Sequence, residues 1–370
     1  MRFRSNAIAL LAAAAIVASA CSAAATPKPG LKIGLVTDVG TLNDKNFNEY
    51  SWAGAQDGAQ KVGGTAASAV SAASADIARN IQAFVDQKYD IIVTVGFAAG
   101  ADTIKAAKAN KSIKFIGVDQ APCVTEAGDN DPTFACKGNA ATLLPNLQGI
   151  GWKEQQPGYL AGIVAASLSK SGHIAGVGGT ASVPAVPNYL IGYRNGARSI
   201  NPNIKVEIKY LSAAPDKTAF ADSAGGKSSA LTLLGAQGNQ DIDVIFQVAG
   251  LSGNGVLEAA CEKKIWGIGV DVDQYVSTPN TKACTVVSAE KKLKKNVSDA
   301  IVRIKDGKDK GGALKLDLTT DDVGLSAFHE FDSQVSAEVK KKIADAIAAM
   351  KAGTLKACEE DQFGGCDQKK

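Results

Sequence analysis

Carboxylates stand where apolar runs end in this chain. Asp38 follows residues 33–36, Asp119 follows 115–118 and Asp271 follows 265–270, while Asp44 lies in the polar loop after the first run. An ionised carboxylate accepts from two donors at once, so such a ring suits a neutral ligand rich in hydroxyl and amino groups. The loop after Asp38 also carries Asn43, Lys45, Asn46 and Asn48 around one aromatic side chain, Phe47. So polar a loop at the carboxyl end of a buried strand is costly unless something polar docks there, and that is where open α/β sheets bind ligands. The plainer reading makes Phe47 the hydrophobic staple of its helix and Asp38 a cap for the loop.

Catalytic patterns fail on inspection. Gly225-Gly226-Lys227-Ser228 lacks the earlier Gly of a phosphate loop, which falls at Ala221, and reads as a helix start. Gly250-Leu251-Ser252-Gly253-Asn254 has Asn254 where a nucleophile elbow needs Gly, and Ser252 has no evident base. Gly250 reads better as backbone that a ligand approaches closely. His173 and His329 have no spaced partner, and no carboxylate pair stands apart as an acid and a base. Neither an enzyme nor a cofactor is expected.

The elements that position these residues alternate. Apolar runs at 33–36, 91–95 and 115–118 read as buried strands, separated by helical patterns at 75–87 and 98–109. A Pro-containing connection, 121–154, breaks the alternation. It resumes with a helix at 158–169 and strands at 174–177, 206–210, 244–248 and 265–270, with helices between them. Repeated βα units imply parallel sheets. Later come a strand at 285–288, a helix at 291–305, a short strand at 322–325 and a helix at 336–352. The length of 370 residues exceeds the usual limit of a single core. The expected fold class is therefore α/β: two similar lobes, each a parallel sheet flanked by helices.

The amino terminus sets the compartment. Arg2 and Arg4 precede an apolar stretch, 7–18, too short for a confident membrane span, and Ala18-Ser19-Ala20-Cys21 closes it. This is a secretion signal whose end looks like a lipobox, with Cys21 as the lipidated residue. Ala18-Ser19-Ala20 also satisfies ordinary signal cleavage. Residues 22–30 read as a small, polar tether. Without Arg2 and Arg4, 40 minus 2 basic residues face 37 acidic ones, so the mature net charge is near +1. That leaves no nucleic-acid footprint. Apart from Cys21, six cysteines remain, and an exported chain with an even count implies disulfides, with 15 connectivities open. The local pairing Cys123 with Cys136, Cys261 with Cys284 and Cys358 with Cys366 is expected, because each closes a short loop. A zinc site lacks any C-x-x-C pair and has only two histidines to draw on.

The segment 31–54, with Asn43-Asp44-Lys45-Asn46-Phe47-Asn48 and Trp52-Ala53-Gly54, resembles the signature of the basic membrane protein family, with Asn46 where Ser is usual. Further blocks look like the family's in its order. Among them are Val95-Gly96-Phe97, Gly117-Val118-Asp119-Gln120, Gln156-Pro157-Gly158-Tyr159-Leu160-Ala161-Gly162, Gly192-Tyr193-Arg194-Asn195-Gly196, Gly269-Val270-Asp271 and Ser288 with Lys291.

The resemblance implies a type I periplasmic binding protein: a lipid-anchored, monomeric nucleoside-binding protein, purine favoured, that delivers its ligand to the permease of an ABC importer. It implies a base stacked between Phe47 and Phe220, with Tyr193 a substitute for the latter. Asp119 would face the base edge, Asp271 and Lys291 the ribose, and Gly250 would offer backbone. It also implies a multi-strand hinge, with a signal peptide at 1–20, a lipidated tether at 21–30, a first lobe of 31–150 plus 273–312, a second of 151–272 plus 313–355, and a polar tail at 356–370. Rival readings are a binding protein for a pentose or other small polyol, a surface receptor or adhesion lipoprotein, and a nucleoside hydrolase.

Overall fold

The computed structural model of the protein describes residues 30–368. The expected signal segment, Cys21 and the tether before Gly30 lie outside the described residues. Among the described residues, twelve strands form two six-stranded sheets. They are β1 (Lys32–Val39), β2 (Thr65–Ser71), β3 (Ile91–Val95), β4 (Lys114–Val118), β5 (Leu147–Trp152), β6 (His173–Gly178), β7 (Lys205–Tyr210), β8 (Val244–Val248), β9 (Trp266–Asp271), β10 (Thr285–Lys291), β11 (Gly312–Leu316) and β12 (Val323–Leu325). The first sheet runs β11-β5-β4-β3-β1-β2 and the second β12-β10-β9-β8-β6-β7. All pairings are parallel except that of β10 with β12. Corresponding strands occupy corresponding places, so the two lobes share one plan, as the alternating pattern implied.

The central strands are mostly apolar because helices cover both faces of each sheet. Every residue of β3, β6 and β8 is buried. In each lobe the strand order reverses at one point, between β1 and β3 in the first and between β6 and β8 in the second. Crevices open at the carboxyl ends of such strands.

The chain crosses between lobes from β5 to the helix Gln155–Leu168, from β10 to the helix Leu293–Lys305, and from β11 to β12. This corrects the expected lobe boundaries. Residues 273–312 were assigned to the first lobe, yet the strand they contain, β10, pairs with β9 in the second sheet. The helix Leu293–Lys305 does pack on the first lobe's helix Phe47–Lys61. β11, which begins at the expected boundary, pairs with β5 in the first sheet. A short apolar run matches the edge of either sheet, so its pattern cannot choose between them.

The crossings are tied together. Lys153 N donates to Leu316 O at 2.9 Å and Lys292 N to Asp322 O at 2.9 Å. The Trp152 indole donates to Asn296 Oδ1 at 3.1 Å, and Asn296 donates to Asp322 at 2.7 Å. Within the second lobe the helix Gln155–Leu168 lies backbone against backbone on the helix Ala185–Ile200. A Cβ on Gly162 would meet Tyr193 O at 2.0 Å, and one on Gly196 would meet Tyr159 O at 1.9 Å. Glycine at these places lets the two helices touch.

The disulfides join Cys123 to Cys136, Cys261 to Cys284 and Cys358 to Cys366, the expected local pairing. No helix among the described residues is long and apolar enough to cross a membrane, and no His, Cys, Asp and Glu cluster there could hold a metal ion.

Candidate functional site

The two crevices face each other and enclose one cavity, lined by Asp38, Asp44, Phe47, Asn48, Gly96, Phe97 and Asp119 from the first lobe. Val183, Val186, Tyr189, Phe220, Gly250, Asp271 and Lys291 are among the second lobe's contribution. Thus Asp38, Asp44, Phe47, Asp119, Phe220, Gly250, Asp271 and Lys291, eight of the nine positions singled out in the sequence, come together. Asn43 does not: its side chain is exposed and lies outside the cavity wall. Tyr193, the substitute aromatic, is fully buried with its ring centroid 5.1 Å from that of Phe246 and does not line the cavity.

Lys291, the last residue of β10, is the electrostatic centre. Its Nζ lies 2.6 Å from Asp119 Oδ2 and 3.4 Å from Asp271 Oδ1, with the lysine side chain only 2 % exposed. Burial works to lower its pKa, but Asp119, Asp271 and Glu154 outweigh burial and raise it, so the ammonium stays charged. The same ammonium sits 4.9 Å from the Phe47 ring centroid and 5.2 Å from that of Trp152, within cation–π range. Asp119 is pushed up to about 6, chiefly by burial, with Lys291 pulling it back. Asp271 is raised for the same reason and accepts from the Tyr189 hydroxyl at 3.3 Å.

Asp119 and Asp271 hold equivalent places at the ends of the fourth strand of each lobe, and both adopt left-handed backbone, with φ of 56° and 66°. Asp tolerates that conformation better than most residues, and strain of this kind gathers at functional sites. A buried glutamine follows each. Gln120 Nε2 donates to Gly96 O at 3.0 Å, and Gln274 Oε1 accepts from Val270 N at 2.9 Å, fixing the strand ends. Asp119 gives Oδ2 to the lysine that the resemblance assigns to the ribose, while its Oδ1 has no partner in the protein.

Asp44 spends much of its capacity on the fold. Its oxygens accept from the backbone N–H groups of Asn46, Asn48 and Glu49 at 2.9, 2.9 and 3.1 Å, holding the start of the helix Phe47–Lys61. Its carbonyl accepts from Asn254 Nδ2 of the second lobe at 2.9 Å, across the cleft. Asn48 Oδ1 and Asp119 Oδ1 are buried without a hydrogen-bond partner in the protein, and both residues line the cavity. Buried polar atoms are rarely left so, and on a cavity wall such an atom is a candidate for ligand contact.

Asp38 touches Gly96: a Cβ there would fall 1.7 Å from Asp38 Oδ2, and Gly96 has φ of 99°. Burial and then the charge of Asp119 raise the Asp38 pKa to about 8. A carboxyl so raised tends to keep its proton at neutral pH, and a protonated carboxyl can donate a hydrogen bond. A carboxyl raised on folding holds an extra proton in the folded state. Its contribution to stability is therefore complete below the ordinary value of 3.8 and is lost as pH rises through about 8. The Asp38→Asn variant should accordingly gain melting temperature relative to the parent as the pH of the ligand-free protein goes from 5 to 9. Parallel curves would show that Asp38 ionises normally.

Tyr189, Trp152, Glu154 and Phe97 had no site role in the sequence reading, and Asn48 had one only as part of the polar loop. Glu154 is buried and accepts from Asn188 Nδ2 at 3.1 Å, placing a third carboxylate in the field of Lys291. Gly96-Phe97 stood in a block already noticed, so a pattern was present for it; Trp152 and Glu154 lay in the irregular connection and gave none. Of the motifs set aside, Ser252 is structural, donating to Thr218 O at 3.0 Å and accepting from Asp222 N at 2.9 Å. His173 pairs with Asp241 and His329 with Asp273, each at 2.7 Å, away from the cavity.

Residues 32–354 match the Bmp family model, described as ABC transporter substrate-binding protein PnrA-like. The chain is 29 % identical over 305 residues to the ABC transporter nucleoside-binding protein BmpA of Lactococcus lactis subsp. cremoris, covering 78 % of each chain. It is 27 % identical over 385 residues to a CD4+ T-cell-stimulating antigen of Listeria innocua, covering 96 % of this chain and 98 % of the relative. Among solved structures it is similar to an ABC transporter solute-binding protein from Aeropyrum pernix, with a TM-score of 0.73, 21 % identity and coverage of 88 % and 92 %.

Proposed function

The chain belongs to the Bmp family of PnrA-like ABC transporter substrate-binding proteins, and from that premise we propose that it captures a nucleoside between its lobes and delivers it to an importer while anchored to the membrane through Cys21. It is a binding component of a transport system and not an enzyme. The observation that carries the nucleoside reading is the pairing of Phe47 and Phe220, one from each lobe, on the cavity that also holds Lys291, Asp119 and Asp271. Two rings offer faces to a planar base, and the ion cluster offers acceptors and a donor to ribose hydroxyls. Stacking of a base on an aromatic side chain is worth about 1–3 kcal/mol. One ammonium against Asp119 and Asp271 on the wall, with Glu154 behind it, leaves an excess of negative charge, which favours a neutral nucleoside over a phosphorylated one.

The mechanism is lobe closure. Ligand contacts from both lobes favour the closed form, and a ligand shifts the equilibrium by its difference in affinity for the two forms. Titration calorimetry on the soluble chain beginning at Ser22, stripped of carried-over ligand by unfolding and refolding, tests the reading. A nucleoside should bind tightly, with free base and ribose each much weaker. A pentose that binds while every nucleoside fails would move the protein to sugar capture.

The anchor has a separate test. Several acyl chains at Cys21 would hold the protein firmly, at about 0.8 kcal/mol per buried methylene. The Cys21→Ser variant should leave the membrane fraction, and one that stays there would refute lipidation.

A further inference from the structure

The family match ends at residue 354, and the tail beyond it is not a loose end. Its Cys358–Cys366 disulfide closes a short loop that lies against both lobes. On the second lobe, Asn195 Nδ2 donates to Ala357 O at 2.9 Å, Gln155 Nε2 to Gly364 O at 2.9 Å, and Cys366 N to Asn188 Oδ1 at 2.7 Å. On the first lobe, Gln362 Nε2 donates to Phe134 O at 2.9 Å, and the Phe363 ring meets the Phe134 ring edge-on at 6.3 Å. Phe134 in turn stacks on Phe97, at 6.2 Å and 14°, and Phe97 lines the ligand cavity. Phe134 sits inside the loop closed by Cys123 and Cys136, so disulfides brace both sides of the aromatic contact.

Beneath the tail lies a second chamber of about 270 Å³, walled by Phe134, Glu154, Asn188, Asp361 and Phe363 among others. It shares Phe97, Asp119, Val183 and Ala185 with the ligand cavity, so the two adjoin.

We propose that residues 358–368 are a clasp that binds the two lobes to each other over this outer chamber, holding the cleft closed and restricting passage to the ligand cavity. The clasp works through contacts with the protein itself and is independent of which ligand the cavity takes. It acts as an internal substitute for part of the ligand's closing effect, because it too contacts both lobes and is satisfied only when they are near.

Small-angle scattering of the ligand-stripped soluble chain tests this without any ligand. The parent should scatter as a compact, closed particle. The Gln362→Ala/Phe363→Ala double variant, which loses the contacts to Phe134 while keeping the disulfide, should shift to a larger radius of gyration at unchanged circular dichroism. A chain ending at Ala357 should shift at least as far. If that shortened chain fails to fold, the double variant decides alone. Scattering curves from the folded variants that superimpose on the parent would overturn the proposal.

Discussion

Replacing Lys291 by Met should destabilise the ligand-free protein by about 3–5 kcal/mol at pH 8, the usual cost of removing one partner from a buried ion pair. The ammonium is the cation within salt-bridge distance of Asp119 and Asp271, whose side chains are only 9 % and 11 % exposed. Without it, two buried carboxylates face each other and Glu154 with no compensation. They can escape by taking up protons, since burial already raises both. The loss should therefore shrink as pH falls to 5, and the sign of that dependence is the informative part. Denaturant titrations of parent and variant at the two values measure it. A variant as stable as the parent at pH 8 would mean that the cluster is solvated in solution. Adding Asp119→Asn to Lys291→Met should recover part of the stability, because one of the stranded charges is gone.

Phe47→Ala should weaken nucleoside binding by about one to two orders of magnitude, since a stacked base contributes about 1–3 kcal/mol and tenfold in affinity is about 1.4 kcal/mol. The variant also removes the ring 4.9 Å from the Lys291 ammonium, a contact worth about 0.5–2 kcal/mol depending on its exposure. Calorimetry with nucleoside and ribose separates the two contributions. If Phe47 stacks on a base, the loss falls mainly on the nucleoside. An equal loss for ribose would make Phe47 a sugar platform, and Phe47→Tyr should retain most of the affinity in either case.

The parts of the fold that the sequence revealed are those buried on both faces. The continuous apolar runs of β3 and β8 were legible because they lie inside their sheets, with every residue buried. β2, TAASAVS, was missed because it is an edge strand with only its last residue buried, so Ala and Ser serve where Val and Ile would be needed inside. β5, LQGIGW, was hidden by two glycines and a neighbouring proline in what read as an irregular connection. β11, GALKL, was missed for the same reason as β2, since only its two end residues are buried, and the sheet to which β10 belongs was illegible for a different reason: pairing between distant segments leaves no trace in a local period.

The site divides in the same way. Asp38, Asp119 and Asp271 stood out because they end apolar runs, a position that means the same thing in either lobe. Lys291 was harder, since it opens the run Lys291-Lys292-Leu293-Lys294-Lys295, which reads as a solvated helix face. The structure ends the strand at Lys291, turns its side chain inward and starts the helix at Leu293. Asn43 shared the polar loop with Asp44 and could not be told from it by type. One points outward and the other holds the helix start, a difference set by the turn between them.

The glycine contacts between the helices Gln155–Leu168 and Ala185–Ile200 have a mechanical meaning. The first helix begins three residues after β5 ends, at one of the crossings, and the second carries Ala185, Val186 and Tyr189 into the cavity wall. Where backbones touch with no side chain between them, there is little to compress or to change rotamer. The pair therefore behaves as one stiff lever whose fulcrum is the crossing and whose far arm is a surface that grips the ligand. Rotation at Lys153 and Glu154 reaches Tyr189 undamped, and a larger residue at Gly162 or Gly196 would act as a spring inserted into that lever.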